Sequence, residues 1–234
     1  MRFFINMEEK LKNKFKTIFM LLVILTALLV NLFADVPNPD PERYKDAIGN
    51  FQKYDKKNSF EEKSVLFVGS SSIVGWMSAE AFPEIDIINR GFGGSHISDQ
   101  LFFYDKVVKK YNPSKIVFYC GDNDIASKKT IEQVVGDYKD FMKMVKADFP
   151  KVKIYYIPIK PSISRWSMWK EMDKTNQVIK EICDSDKNMF YVDIATPMIE
   201  NTGKPDESLF RKDGLHLNQN GYDLWNSVLS PYLK

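Results

Sequence analysis

The sequence predicts an α/β domain built on a parallel sheet covered on both faces. Two observations carry that prediction. Five short, continuous apolar runs punctuate the chain, at residues 64–68, 85–88, 116–119, 152–157 and 190–192, and segments with helix-period apolar stripes separate them. Continuous apolar runs suit strands buried on both faces, and regular strand–helix alternation specifies parallel pairing through crossover helices. Sheets of this kind bind ligands beyond the carboxyl ends of their strands. At 234 residues, 44% hydrophobic and 27% charged, the chain is long enough and apolar enough for one well-packed domain.

Residues 1–34 stand apart. Arg2, Lys10, Lys12, Lys14 and Lys16 precede an apolar run from Ile18 to Ala34, the pattern of a signal peptide or an N-terminal membrane anchor. The lysines are expected to stay cytoplasmic and the rest of the chain to be exported, facing outward. Membrane contact is expected only through this segment. Residues 35–41, Asp35-Val36-Pro37-Asn38-Pro39-Asp40-Pro41, read as a proline-rich linker, and residues 42–234 as the folded domain. Without the basic N-terminal segment the remainder is near neutral, with lysines scattered among acids rather than blocked together. That distribution argues against nucleic acid as a partner.

Pro41 is placed to open a helix over about residues 42–54, with Tyr44, Ile48, Phe51 and Tyr54 on one stripe. Ile97, Leu101, Tyr104, Val108 and Tyr111 form a second stripe, and Ile131, Val134, Val135, Tyr138, Phe141, Met142 and Val145 a third. Further helices are predicted from about Met168 to Cys183 and from about Gln219 to Leu229, the last stopped before Pro231. Cys120 and Cys183 are equally compatible with a disulfide in an oxidising compartment and with two buried thiols.

Unusual residues follow three of the apolar runs. After the first comes Gly69-Ser70-Ser71-Ser72-Ile73. A serine at a strand-to-helix turn can raise its hydroxyl above the sheet edge while its own N–H faces developing negative charge; it can equally be an ordinary helix cap. The second glycine of a G-x-S-x-G elbow is absent, which disfavours the common α/β-hydrolase arrangement. After the second run, Asn89-Arg90-Gly91-Phe92-Gly93-Gly94-Ser95 is either a loop whose backbone N–H groups approach a ligand or a plain tight turn. It matches neither a P-loop nor a dinucleotide fingerprint. After the third, Cys120-Gly121-Asp122-Asn123-Asp124 offers an Asn123 side-chain N–H to an oxyanion, or is a surface turn. Its spacing is not that of a calcium loop.

A base for serine activation must be His96 or His216, the only two histidines. Asp213 precedes His216 by three residues with Gly214 between, so its carboxylate can fold back to accept from one ring nitrogen while the other faces a nucleophile. His96 has no comparable neighbour and is expected to be a surface residue at a helix start.

Together these segments resemble the SGNH hydrolase superfamily, the GDSL-like lipases and acylhydrolases. The resemblance extends over most of residues 42–234, through the leading helix, the Phe67-to-Ile73 block, Ile159-Lys160-Pro161-Ser162 with Arg165-Trp166, and the Asp213-to-His216 block. It implies Ser71 as nucleophile, Asp213 and His216 completing a catalytic triad, and an oxyanion hole from Ser71, Gly94 and Asn123. The family's usual aspartate before the nucleophile is Ser70 here, as in a GSSS-bearing branch. Also implied are a flavodoxin-like three-layer α/β/α sandwich with a five-stranded parallel sheet, no cofactor or metal, and serine ester hydrolysis through an acyl-enzyme.

The expected substrates are small acyl esters, either acetyl groups on glycans or short-chain lipid esters, because no long insertion is present from which to build a lid. Arg165 and Trp166 are expected to line the substrate edge or to pack beneath a loop. Acyl transfer to a sugar hydroxyl, which would use the same triad, and a non-catalytic exported glycan-binding module are the alternatives.

Overall fold

Five parallel strands form one sheet in the order β2-β1-β3-β4-β5: β1 (Val65–Gly69), β2 (Ile87–Gly91), β3 (Lys115–Tyr119), β4 (Lys153–Tyr156) and β5 (Met189–Tyr191). The computed structural model describes residues 14–21, 35–199 and 202–234. The chain divides into two units, Met1–Val36 and Pro37–Lys234. Of the first, residues 14–21 are helical and exposed; the rest of the expected export segment lies outside the described residues. Among the described residues no helix is long and apolar enough to cross a membrane.

The second unit has three layers, and strand periodicity explains why. Within β1, Leu66 and Val68 join one core cluster while Val65 and Phe67 join the other. Within β3, Ile116 and Phe118 face the first, and Val117 and Tyr119 the second. Alternate side chains leave opposite faces of a strand, so an unbroken apolar run supplies both cores at once. The first core is closed by helices α1 (Lys45–Asp55), α3 (Ile97–Phe102), α5 (Ile131–Asp148) and α6 (Trp169–Asp184). The second is closed by α7 (Gln219–Leu233) together with Trp76 and the loops around Met198 and Leu209. Phe67 and Phe118 are wholly buried on opposite faces, and truncating either to alanine should cost about 3–5 kcal/mol.

Local signals set the helix starts. Asp40 caps a 3₁₀ turn at Pro41–Tyr44, its carboxylate accepting from Glu42 N at 2.9 Å, and α1 continues from it. Thr130 and Gln133 form a reciprocal capping box at the start of α5. Two short helices, α2 (Ser71–Val74) and α4 (Asp122–Ala126), follow β1 and β3 directly.

Three predicted boundaries are corrected. The second strand runs from Ile87 to Gly91 rather than from Ile85 to Ile88, because its pairing with β1 continues through Asn89, Arg90 and Gly91; those residues belong to the sheet, not to the loop after it. The stripe from Ile97 to Tyr111 is divided into α3, a short helix Tyr104–Val107 and a 3₁₀ turn Lys109–Tyr111. Helix α7 passes through Pro231 to Leu233. A proline so near a helix end forfeits only one late hydrogen bond, while Leu233 remains buried beyond it.

Candidate active site

The strand order reverses direction beside β1, whose neighbours are β2 on one side and β3 on the other. Such a switch point opens a crevice at the carboxyl edge of the sheet. The segments following β1, β2 and β3 meet there.

Gly69 ends β1 with φ +145°, and a Cβ on it would lie 1.8 Å from the Tyr119 carbonyl oxygen. Only glycine permits the chain to turn this close to β3. Ser70 N then donates to Tyr119 O at 3.0 Å, and Ser71 heads α2, at a position whose N–H has no intrahelical acceptor. Beyond β2, the Gly93–Gly94 step is exposed beside this turn: a Cβ on Gly93 would sit 3.8 Å from Ser71 Cβ, and one on Gly94 would sit 3.2 Å from the Tyr44 hydroxyl.

His216 reaches the same point from a tight loop before α7. Phe210 and Leu217 form an antiparallel bridge, Arg211 N donates to His216 O at 2.7 Å, and Gly214 takes φ +62° at the bend. Asn218 locks the base of the loop: its Oδ1 accepts from Gly221 N, and its Nδ2 donates to Ser208 O and Phe210 O. Within this frame Asp213 Oδ1 accepts from Leu215 N and His216 N, both at 2.9 Å, and Oδ2 lies 2.7 Å from His216 Nδ1. His216 Nε2 is 3.2 Å from Ser71 Oγ. The hydrogen bond to His216 and the two backbone N–H donors hold the Asp213 carboxyl well below the usual carboxylate range, so it stays ionised beside the imidazole.

Asn123 lies in α4, directly after β3. Its Nδ2 donates to Ser95 O at 3.1 Å and its Oδ1 accepts from Arg165 Nη2 at 3.0 Å. Arg165 is therefore half-buried against Asn123 rather than lining a free substrate edge; Trp166 stacks on Trp169 with ring centroids 5.9 Å apart.

The two aspartates flanking Asn123 are not a surface turn. Asp122 is buried, 3.3 Å from Lys160 Nζ and 3.1 Å from Arg165 Nη1. Burial pushes its carboxyl up, but Lys160 and Arg165 outweigh that and hold it below its ordinary value. Asp124 is buried with Lys129 Nζ at 2.9 Å and accepts from Ile97 N. Burial dominates there and raises its pKa to about 6.

His96 requires a correction: it is 4% exposed rather than a surface residue. Its Nε2 lies 3.2 Å from Ser127 Oγ and its Nδ1 3.6 Å from Asp124 Oδ1. Burial, with the charges of Lys129 and Arg43, pushes this imidazole down to about 4. Asp124 is 28 positions from His96, so no local spacing in the sequence announces the pair. Lys160 is the other residue whose role sequence reasoning missed; a lysine closing the apolar stretch Ile157-Pro158-Ile159 at the carboxyl edge of the sheet was the available signal. Cys120 and Cys183 are both free and buried.

A cavity of about 720 Å³ beside α1, lined by Lys45, Ile48, Phe103 and Lys106 among others, includes none of the residues meeting at the switch point. A recess of about 420 Å³ adjoins Asp213 between Ile163, Ser164, Phe210 and Arg211.

Comparison with known proteins gives the family and the fold. The model of the GDSL-like Lipase/Acylhydrolase family matches residues 69–224, more than half of the chain. Among solved structures, a Streptococcus pneumoniae protein described as a platelet activating factor shares the fold with a TM-score of 0.74 at 21% identity, covering 91% of this chain and 99% of that one. An acetyl xylan esterase from Geobacillus stearothermophilus does so with a TM-score of 0.58 at 17% identity, covering 74% and 96%. The chain is also 22% identical, over 77% of its length, to an N-acylneuraminate cytidylyltransferase of Escherichia coli O18:K1:H7, of which it spans only 43%. With the family model matching from the Gly69 turn through the Asp213–His216 loop and into α7, the chain belongs to the GDSL-like lipase/acylhydrolase family.

Proposed function

We propose that the chain hydrolyses small acyl esters through an acyl-enzyme on Ser71, with Asp213 and His216 as its partners and with Ser71 N–H, Gly94 N–H and Asn123 Nδ2 as oxyanion donors. The observation that carries this reading is the continuous line from Asp213 Oδ2 to His216 Nδ1 at 2.7 Å and from His216 Nε2 to Ser71 Oγ at 3.2 Å. Ser71 Oγ attacks the acyl carbon, and His216 Nε2 takes the hydroxyl proton. Collapse of the tetrahedral adduct breaks the bond to the leaving oxygen, which receives that proton from His216. Water then repeats the sequence on the acyl-enzyme, giving up a proton to His216 as it attacks; the freed Ser71 oxygen recovers it, and the carboxylic acid leaves. Ionised Asp213 keeps the imidazole in the tautomer that accepts at Nε2.

Acetyl groups on a glycan are the favoured substrates. Support comes from the fold shared with an acetyl xylan esterase and from the absence of any long insertion to form a lid over Ser71. The basic flank and apolar run of residues 2–34 support export, with the catalytic unit facing outward.

The test is hydrolysis of p-nitrophenyl acetate, p-nitrophenyl butyrate and acetylated xylo-oligosaccharides by the full chain and its Ser71→Ala variant, with mass spectrometry after a fluorophosphonate. Acetate release lost by at least about 10⁴-fold in the variant, with the label on Ser71, is expected. Turnover that survives in Ser71→Ala sinks the assignment.

A further inference from the structure

We propose that Arg165 is a positioning residue that sets the orientation of the Asn123 amide and places positive charge behind it. The proposal rests on the reading of Asn123 as an oxyanion donor. A side-chain amide can point either way, and only one orientation presents N–H to an oxyanion. Here both ends are determined. Oδ1 accepts from Arg165 Nη2 at 3.0 Å, and one Nδ2 proton goes to Ser95 O at 3.1 Å. Nδ2 carries two protons, so one is left for a ligand. Reversing the amide would set Oδ1 against the Ser95 carbonyl and the NH₂ against the guanidinium, replacing two attractions by two repulsions.

Arg165 is itself held. Its Nη1 pairs with buried Asp122 at 3.1 Å, and the same Asp122 oxygen lies 3.3 Å from Lys160 Nζ. Lys160 is 1% exposed and donates to Tyr119 OH at 3.0 Å. Within contact distance one carboxylate faces two cations, with Asp213 the further negative charge acting on Lys160, and the Arg165 guanidinium is the cation in contact with Asn123. A fixed charge of that sign beside the amide favours an oxyanion. The planar guanidinium fork is what allows one side chain to hold Asp122 and Asn123 together, which a lysine ammonium on one centre does less well.

The experiment is a double-mutant cycle in the full chain with p-nitrophenyl acetate: Arg165→Ala, Asn123→Ala and the double variant, with Arg165→Lys as the variant that keeps a cation beside Asp122. Arg165→Ala is expected to lower kcat by about 10- to 10²-fold with little change in KM, as for a misplaced catalytic group. On the Asn123→Ala background the same change should lower kcat by less than about threefold, because its target is gone. Arg165→Lys should keep the melting temperature and still show a kcat deficit.

Full additivity of the two substitutions, or an effect confined to KM or to melting temperature, overturns the proposal while leaving Asn123 as an oxyanion donor. An Asn123→Ala variant with undiminished kcat would overturn the oxyanion assignment and this proposal with it.

Discussion

The protein contains two histidines, each beside an aspartate and a serine, and they have opposite characters. His216 is half-buried at the carboxyl edge of the sheet, with Asp213 three residues away in the same loop and Ser71 Oγ 3.2 Å from its Nε2. His96 is buried between α3 and α4, with Asp124 Oδ1 3.6 Å from Nδ1 and Ser127 Oγ 3.2 Å from Nε2. The residue types are identical, so composition does not distinguish them. The aspartates do: Asp213 is held ionised by two backbone N–H groups and the imidazole it serves, whereas Asp124 is committed to Lys129 and to Ile97 N. Burial and the neighbouring cations press His96 toward its neutral form. A Ser-His-Asp set becomes catalytic through ionisation, alignment and an oxyanion site together, and the proposed function assigns all three to the first set.

Breaking the first set should have the larger effect. Asp213→Asn keeps the shape of the loop but removes the charge and permits the wrong imidazole tautomer, so kcat at neutral pH should fall by about 10⁴-fold while the melting temperature changes little, because Asp213 is exposed. Steady-state rates with p-nitrophenyl acetate measure this. A loss below tenfold would mean that Asp213 does not orient His216.

His96→Gln should leave kcat within a few-fold and lower stability instead, by about 1–3 kcal/mol, since it disturbs buried polar partners. The pH dependence gives the sign. The folded-state pKa of His96 lies near 4, below the ordinary 6.5, so its contribution is fully present above about pH 6.5 and is lost as pH falls through 4. The deficit of His96→Gln in urea melts should therefore be larger at pH 7 than at pH 4.5. Asp124, raised to about 6 from 3.8, has the opposite slope, its contribution being lost as pH rises through 6, so the wild type should show a flatter profile between pH 4 and 6 than the variant. A deficit that widens on acidification would contradict the neutral, buried assignment.

The smallest effect should come from Ser127→Ala. Its hydroxyl is exposed and makes one contact to His96, so stability should change by no more than about 1 kcal/mol with turnover unaltered. A large loss of activity would show that the second set takes part in catalysis after all.

Much of this organisation was legible beforehand. Continuous apolar runs identify strands that must serve two faces, and β1 and β3 send alternate residues to the two cores as that reading requires. The Asp213-to-His216 spacing was legible because its geometry is local: a short loop with glycine at the bend brings carboxylate and imidazole together whatever surrounds them. The extent of β2 was not, because pairing with β1 carries Asn89 and Arg90 into the sheet against their polar character. Arg90 survives there by pairing with Asp55 at 2.5 Å and donating to Tyr111 at 2.5 Å.

The sequence by itself therefore determined the layered α/β architecture, the order of the segments and the local His216–Asp213 pair, because periodicity and short-range spacing depend only on neighbours along the chain. Tertiary structure alone decided how His96 comes to be buried against Asp124, why Asp122 and Asp124 turn to different lysines, and how Arg165 comes to hold Asn123. Those outcomes depend on contacts between segments tens of residues apart, where charge and burial are settled only once the sheet has brought its carboxyl ends together.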